Sequence, residues 1–203
     1  VLIAGTLESS ATLRRLREAG LLDEASKIEG GWERFLIKVL DNPLAGVERA
    51  LVIVGSDRRG AAYGVLEIAR HIGVSPWVWW ADVPYSRKET IEIDLNTQLS
   101  TPPAVKYRGI FLNDENFRLK PWASKFMDPS VEDIGPRTYE KNFALMLRLR
   151  SNYIWPAIAA TAFGFYPENY ELADRFAIVV GGHHASSLLR SKHEWWRLHG
   201  HED

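Results

Sequence analysis

The sequence predicts an α/β protein in two parts: a small α/β layer sandwich over residues 1–99, then three consecutive β/α units over residues 104–203. Short apolar strands alternate with amphipathic helices along the chain. Between the two parts, Pro102 and Pro103 form a connector that neither a helix nor a sheet interior accommodates. Beyond it, the order strand, loop, helix repeats three times, which is typical of a parallel sheet with right-handed crossovers.

In the first part, the apolar residues 1–4 predict a strand, and Gly5-Thr6 turns the chain. Ser9 or Ser10 can cap a helix that ends at Gly20. Residues 35–40 and 50–54 are strand-like, with a turn expected at Asp41-Asn42-Pro43. After residues 55–57, apolar side chains at helical spacing predict a second helix ending at Gly73, and the alternation over 90–95 predicts a closing strand.

In the second part, strands are predicted over residues 107–112, 152–156 and 178–180. Helices are predicted over about 138–150, 168–176 and 186–198. Three such units cannot close a (β/α)₈ barrel, which needs about 250 residues. Together with an apolar start at Val1 and an end directly after a helix-like segment, this predicts that the chain is an internal piece of a longer protein.

Composition narrows the class of function. The chain has 203 residues, 46% of them hydrophobic, with 25 Lys+Arg against 26 Asp+Glu. Because this balance creates no general positive field, nucleic acid is not an expected partner. No apolar run approaches the roughly 18 residues that span a bilayer, so no membrane segment is expected. The absence of cysteine excludes disulfides, cysteine nucleophiles and thiolate metal sites.

Polar and aromatic residues follow each predicted strand of the second part: Asn113-Asp114-Glu115, then Trp155, then His183-His184. Ligands of barrels and open α/β sheets bind at these carboxyl ends, so the three clusters predict one site. No P-loop ending, dinucleotide fingerprint or Gly-x-Ser-x-Gly elbow accompanies them.

Neighbouring strand residues point to opposite faces, so Asp114 and Glu115 should not both enter one cavity. One interpretation places Asp114 in the cavity. The other has both carboxylates capping the loop or pairing with Arg118 and Lys120.

The same alternation lets only one of His183 and His184 point inward, where a neutral imidazole can hydrogen-bond a sugar hydroxyl or a carboxylate. The alternative is a histidine whose hydrogen bonds are satisfied at the strand end. Trp155 is either barrel core or the floor of a site. Adjacent histidines are a poor metal-ligand spacing, so no metal site is predicted.

Several long runs resemble the N-terminal region of glycoside hydrolase family 115. The likeness covers most of residues 50–190 and rests on Asp57-Arg58-Arg59-Gly60, Trp77-Val78-Trp79-Trp80-Ala81-Asp82-Val83-Pro84, Gly109-Ile110-Phe111-Leu112-Asn113-Asp114-Glu115, Pro121-Trp122-Ala123, Gly135-Pro136-Arg137-Thr138-Tyr139 and Trp155-Pro156-Ala157.

The resemblance implies a small α/β domain followed by the first three units of a (β/α)₈ barrel, here truncated. Members of the family are xylan α-1,2-glucuronidases that act without a cofactor on glucuronoxylan or aldouronic oligosaccharides. They are often dimeric, and an extracellular or periplasmic location is expected because their substrate is extracellular. Carried over by position, Asn113 and Asp114 line the active site and His184 takes the place of a Ser-His motif of the family. With the strand-end residues included, Asp114 is the catalytic candidate, and Asn113, Glu115, Trp155 and His184 are the substrate-binding candidates.

The chain departs from the family pattern at two strand ends: Ser186 stands where a Glu is expected, and Ala159 where a polar or aromatic residue is expected. Two hypotheses follow: an inverting glycosidase, or a non-catalytic, degenerate carbohydrate-binding homologue. The general acid and base are expected on later barrel strands. The 203-residue chain alone is therefore predicted to be inactive.

Overall fold

A computed structural model of the chain describes residues 1–93, 96–113, 118–157, 163–182, 186–187 and 190–200. It shows two compact units, Val1–Lys106 and Tyr107–Asp203. Each unit contains one main sheet together with helices, so the mixed α/β class predicted from the sequence is confirmed.

The first unit is built on a four-stranded sheet in the order β1-β3-β2-β4. The strands are β1 (Leu2–Thr6), β2 (Phe35–Leu44), β3 (Val47–Gly55) and β4 (Gln98–Leu99). β1 runs parallel to β3, whereas β2 runs antiparallel to both β3 and β4. Helix α1 (Ala11–Glu18), a 3₁₀ helix (Asp23–Lys27) and helix α2 (Arg58–His71) complete the unit.

Helices cover both faces of this sheet. On one face, Leu13 and Leu16 of α1 join Leu36 and Val52 in a buried cluster. On the other face, α2 approaches so closely that a Cβ added to Gly64 would touch Ile53 and Phe35. The alternation of β2 and β3 therefore places apolar side chains in two separate cores.

The N-termini of α1 and α2 are each capped by a side chain, and the cap on α1 is one of the two serines that the sequence predicts. The Ser10 hydroxyl accepts a hydrogen bond from the Leu13 amide at 3.3 Å. Asp57 caps α2, because its carboxylate accepts from the Gly60 amide at 2.8 Å and also from the Glu33 amide at 2.8 Å. The bonds from Leu13 and Gly60 satisfy amides that the first helical turn leaves without partners, and the bond from Glu33 ties the segment before β2 to the start of α2.

Two predictions for this unit are wrong. The turn expected at Asp41-Asn42-Pro43 is strand, because a bulge between Asp41 and Leu44 accommodates the proline and the positive φ of Asn42. The chain reverses instead at Gly46, where φ is +78°. Residues 90–93 form no strand, and Leu95 lies outside the described residues. The edge of β2 is paired by β4 instead.

The second unit is built on a three-stranded parallel sheet in the order β5-β6-β7. Its strands are β5 (Gly109–Phe111), β6 (Tyr153–Trp155) and β7 (Val179–Val180). Between β5 and β6 come α3 (Leu119–Trp122), a π-helical segment (Ala123–Met127) and α4 (Pro136–Arg148). α5 (Pro167–Arg175) connects β6 to β7.

The helix predicted over 186–198 is wrong in its first half. Ser186–Ser187 (β8) pairs with Arg190–Ser191 (β9), and α6 begins only at Lys192 and runs to His199. Serine has a low helix propensity away from a cap, so three serines in this stretch favour the short strand pair.

Candidate functional site

The carboxyl ends of β5 and β6 lie side by side. Phe111 is in register with Trp155, and the Leu112 amide donates to the Trp155 carbonyl at 2.8 Å. On the other side, the Gly181 amide donates to the Ile154 carbonyl at 2.9 Å, which extends the pairing beyond β7. The three strands therefore end at the same edge of the sheet, where parallel α/β folds bind ligands.

The two faces of this sheet differ in exposure. Ile154 is fully buried, whereas its neighbour Trp155 is 39% exposed and Phe111 is 47% exposed. Alternation places Tyr153 on the same face as Trp155. We call the four aromatic side chains of this region, Tyr107, Phe111, Tyr153 and Trp155, the aromatic face.

The members of the aromatic face are in contact with one another. The Trp155 indole Nε1 donates a hydrogen bond to the Tyr153 hydroxyl at 2.9 Å. The Phe111 ring meets the Trp155 ring edge-on, with centroids 5.8 Å apart and planes at 77°. Tyr107 lies against Tyr153 at a centroid distance of 6.0 Å. Edge-on packing is a favourable arrangement for aromatic rings, so the face is ordered by its own contacts.

Asn152 fixes the register that brings these strand ends together. It is fully buried, and its side-chain oxygen accepts from the Arg108 amide at 2.9 Å. Its own amide donates to the Arg108 carbonyl at 2.8 Å. The Arg108 guanidinium also donates to the Arg150 carbonyl at 2.7 Å. The start of β6 is thus tied to the residue that precedes β5.

Asp128 anchors the N-terminus of α4. Its buried carboxylate accepts from the amides of Gly135, Arg137 and Thr138 at 3.2, 2.9 and 3.0 Å, and from the Thr138 hydroxyl at 2.6 Å. Since the N-cap position holds Gly135, which has no side chain, a residue from earlier in the chain supplies the cap. The sequence interpretation missed Asp128 because a capping residue is expected directly before its helix, and Asp128 lies seven residues before the N-cap position.

Hydrogen bonds from Tyr166 and Asn169 hold the start of α5 against neighbouring backbone. The Tyr166 hydroxyl donates to the Val131 carbonyl at 3.1 Å, and burial, reinforced by Asp133, raises the pKa of that hydroxyl. It therefore remains a donor at neutral pH. The side-chain amide of Asn169, which is fully buried, donates to the Phe163 carbonyl at 2.9 Å.

Of the predicted site residues, the structure describes two. Asn113 is exposed and follows β5 by two residues, and Trp155 is the last residue of β6. These two are thus brought to adjacent strand ends. Asp114, Glu115 and His184 lie outside the described residues, and their roles stay predictions.

His183 and Ala159 also lie outside the described residues. Lys120 is one of the two residues proposed to pair with Asp114 and Glu115. Its ammonium Nζ lies 3.7 Å from the Asp133 Oδ1. The sequence interpretation missed Tyr153, although its two-residue spacing from Trp155 could have placed it on the same face.

The first unit also has partly exposed aromatic side chains, Trp77 at 44% and Trp79 at 40%, but they follow α2 and lie at no described strand end of its sheet. An open groove beside α1 is lined mainly by charged side chains, two of which, Arg17 and Glu29, pair at 2.8 Å. This pairing raises the pKa of the guanidinium and lowers that of the carboxyl. The glycines near α2 serve packing, since a Cβ on Gly60 would overlap the Arg34 carbonyl.

Within the described ranges, no three His, Asp or Glu side chains gather closely enough to hold a metal ion. None of the helices in those ranges has the length and apolar character needed to cross a membrane.

The family model described as Glycosyl hydrolase family 115 matches residues 100–203. A solved structure, BtGH115A, is described as a novel family GH115 4-O-methyl-α-glucuronidase with specificity for decorated arabinogalactans. It is 38% identical with a TM-score of 0.82, and the match covers 97% of this chain but 25% of that one. No curated protein matches the chain.

Proposed function

Because the chain belongs to glycosyl hydrolase family 115, we propose that it is part of an enzyme that removes glucuronic acid, or its 4-O-methyl ether, from polysaccharide side chains. The chain spans a quarter of the length of the α-glucuronidase BtGH115A, so the proposal concerns the whole protein that carries it.

The observation that carries the proposal is the order of the second sheet. β5, β6 and β7 are parallel and adjacent in chain order, and α4 and α5 lie in the connections. This order supports residues 104–203 as the first three units of a (β/α)₈ barrel and residues 1–99 as a preceding α/β domain. In such a barrel the aromatic face would line the interior.

We assign the site residues according to this barrel. Asp114 is the catalytic candidate, and Asn113 and Glu115 flank it. The parallel register between Phe111 and Trp155 supports a location of this loop beside Trp155. His184, which follows β7 in the chain, would bind a sugar hydroxyl or the carboxylate of the uronic acid.

The proposed reaction is hydrolysis with inversion. A carboxylate activates a water that attacks the anomeric carbon, and a carboxylic acid on the opposite side protonates the leaving oxygen of the polysaccharide. The transition state carries positive charge on the sugar ring, so a carboxylate at position 114 would stabilise it. The acid and base themselves are assigned to later strands of the barrel.

The test is release of 4-O-methylglucuronic acid by the whole protein. Glucuronoxylan, predicted from the sequence, and a decorated arabinogalactan are offered in parallel, because the first is the family substrate and the second is named for BtGH115A. Asp114→Asn should lower kcat by about 100-fold or more, because it removes a charge that stabilises the transition state. Asp174→Asn, on the exposed side of α5, is the matched control. It should leave kcat within about twofold of the wild-type value.

The outcomes separate the hypotheses. An active wild type whose rate is unchanged by Asp114→Asn would remove Asp114 from the machinery. Binding of aldouronic oligosaccharides without turnover would favour the non-catalytic homologue suggested by Ser186 and Ala159. The 203-residue chain by itself should release nothing; turnover by that chain would place the acid and base within it.

A further inference from the structure

The only polar group of the Trp155 indole, its Nε1–H, already donates a hydrogen bond within the protein. Tryptophan carries one donor, the Nε1–H, and no acceptor. In this structure that donor points at the Tyr153 hydroxyl, 2.9 Å away. A sugar that meets Trp155 is therefore offered the flat ring rather than a hydrogen-bond donor, although the side chain remains 39% exposed.

The position of the Tyr153 hydroxyl is itself fixed. The ring contacts the backbone of Gly181 so closely that a Cβ there would overlap the hydroxyl oxygen and the adjoining ring carbon. On another side it meets Tyr107 at a centroid distance of 6.0 Å. The acceptor for the indole therefore cannot move far, because a backbone and a second ring enclose it.

Phe111 restricts the indole on a different side. Its ring stands at 77° to the indole plane with centroids 5.8 Å apart. The indole is thus held at its nitrogen by a hydrogen bond and beside its ring by an aromatic edge. Two such restraints on a partly exposed side chain fix its plane and lower the entropy lost when a ligand stacks on it.

We infer that Tyr153 is a positioning residue that holds the Trp155 indole so that its ring face stacks on the C–H face of a sugar ring of the substrate. This inference rests on the proposed function and deepens it, since it assigns Trp155 to stacking and excludes its Nε1–H from recognition. Removing the Tyr153 hydroxyl frees the indole to rotate and its donor to bind water, which weakens binding without touching the chemistry.

The experiment is a double-mutant cycle in the whole protein. Tyr153→Phe should raise KM about fivefold and leave kcat within about twofold, because a stacked aromatic contact contributes on the order of 1 kcal/mol. Trp155→Phe should raise KM by a similar factor. The double variant should be no worse than Trp155→Phe alone, since Tyr153 acts through the indole.

Tyr170→Phe is the matched control, since it also removes a phenol hydroxyl, but from the exposed side of α5 and outside the aromatic face, and its KM should stay at the wild-type value. Circular dichroism and thermal unfolding verify that each variant folds. The inference is overturned if Tyr153→Phe behaves like wild type, if it lowers kcat with KM unchanged, or if its effect multiplies with that of Trp155→Phe.

Calorimetric titration with an aldouronic oligosaccharide separates this inference from the proposed function. If the wild type binds but does not hydrolyse, the proposed activity fails, and the same variants then test the inference through Kd. If the wild type hydrolyses and the variants show no coupling, the inference fails alone. If there is neither binding nor turnover, both fail.

Discussion

The two sheets of the molecule differ in how their faces are used. The sheet of the first unit is buried on both faces, by α1 on one side and α2 on the other. The sheet of the second unit buries Ile154 completely but leaves Phe111 and Trp155 partly exposed on the opposite face. A sheet that is buried on both faces stabilises the fold but offers no surface to a ligand. A sheet with an exposed, ordered face can bind one.

Glycine shows the same contrast. Gly60 and Gly64 let α2 lie directly on the first sheet, so they serve packing between backbone and side chains of the core. Gly181 admits the phenol of Tyr153, a side chain of the exposed face. The close approach that glycine permits stabilises the fold in one unit and positions an aromatic group in the other.

The largest effect is expected on the buried side of the second unit. Asp128→Ala removes the acceptor of four hydrogen bonds at the start of α4 and should lower the free energy of unfolding by about 4 kcal/mol. Urea unfolding followed by circular dichroism measures it. Asp128→Asn keeps one oxygen acceptor and should recover part of the loss. A loss below about 1 kcal/mol would contradict the role of this cap.

The two faces of β6 can be compared directly through neighbouring residues. Ile154→Ala opens a cavity in the buried side and should cost about 3 kcal/mol. Trp155→Ala, on the exposed face, should cost about 1 kcal/mol although it removes a larger side chain. The same urea titration measures both. Equal losses would abolish the distinction between the faces.

A smaller effect is expected in the first unit. Gly60→Ala adds a methyl group that would overlap the Arg34 carbonyl, and it should cost about 2 kcal/mol despite the better helix propensity of alanine. Gly20→Ala is the control: its added Cβ meets nothing within 4 Å, so only its φ of +72° penalises it. A Gly60→Ala variant more stable than wild type would show that α2 can move away from the sheet.

The sequence predicted what depends on local signals. Ser10 precedes its helix directly, so its cap could be recognised; Asp57 stands in the same position before α2, but its cap was not predicted. The β/α repeats could be recognised from apolar periodicity, and the family from long residue runs. Such features need no knowledge of which segments meet in space.

What the sequence interpretation missed depends on contacts between distant segments. The cap from Asp128 spans a loop, and β4 forms only because Ser100 and Leu99 reach the edge of β2, with the Ser100 amide donating to the Phe35 carbonyl at 2.9 Å. For the site, strand ends and Trp155 could be predicted. The bond from Trp155 to Tyr153 could not, since alternation gives the face of a side chain but not its rotamer.

The cap on α4 also bears on how this part of the chain folds. Asp128 reaches amides only seven to ten residues further along. A loop of about ten residues closes in roughly 10–100 ns. The helix start can therefore form from one short stretch of chain before any strand of the sheet has found its neighbour. Because these contacts are local in sequence, α4 is expected to form early in folding. The parallel pairing of β5 and β6, which joins distant segments, is expected to follow more slowly.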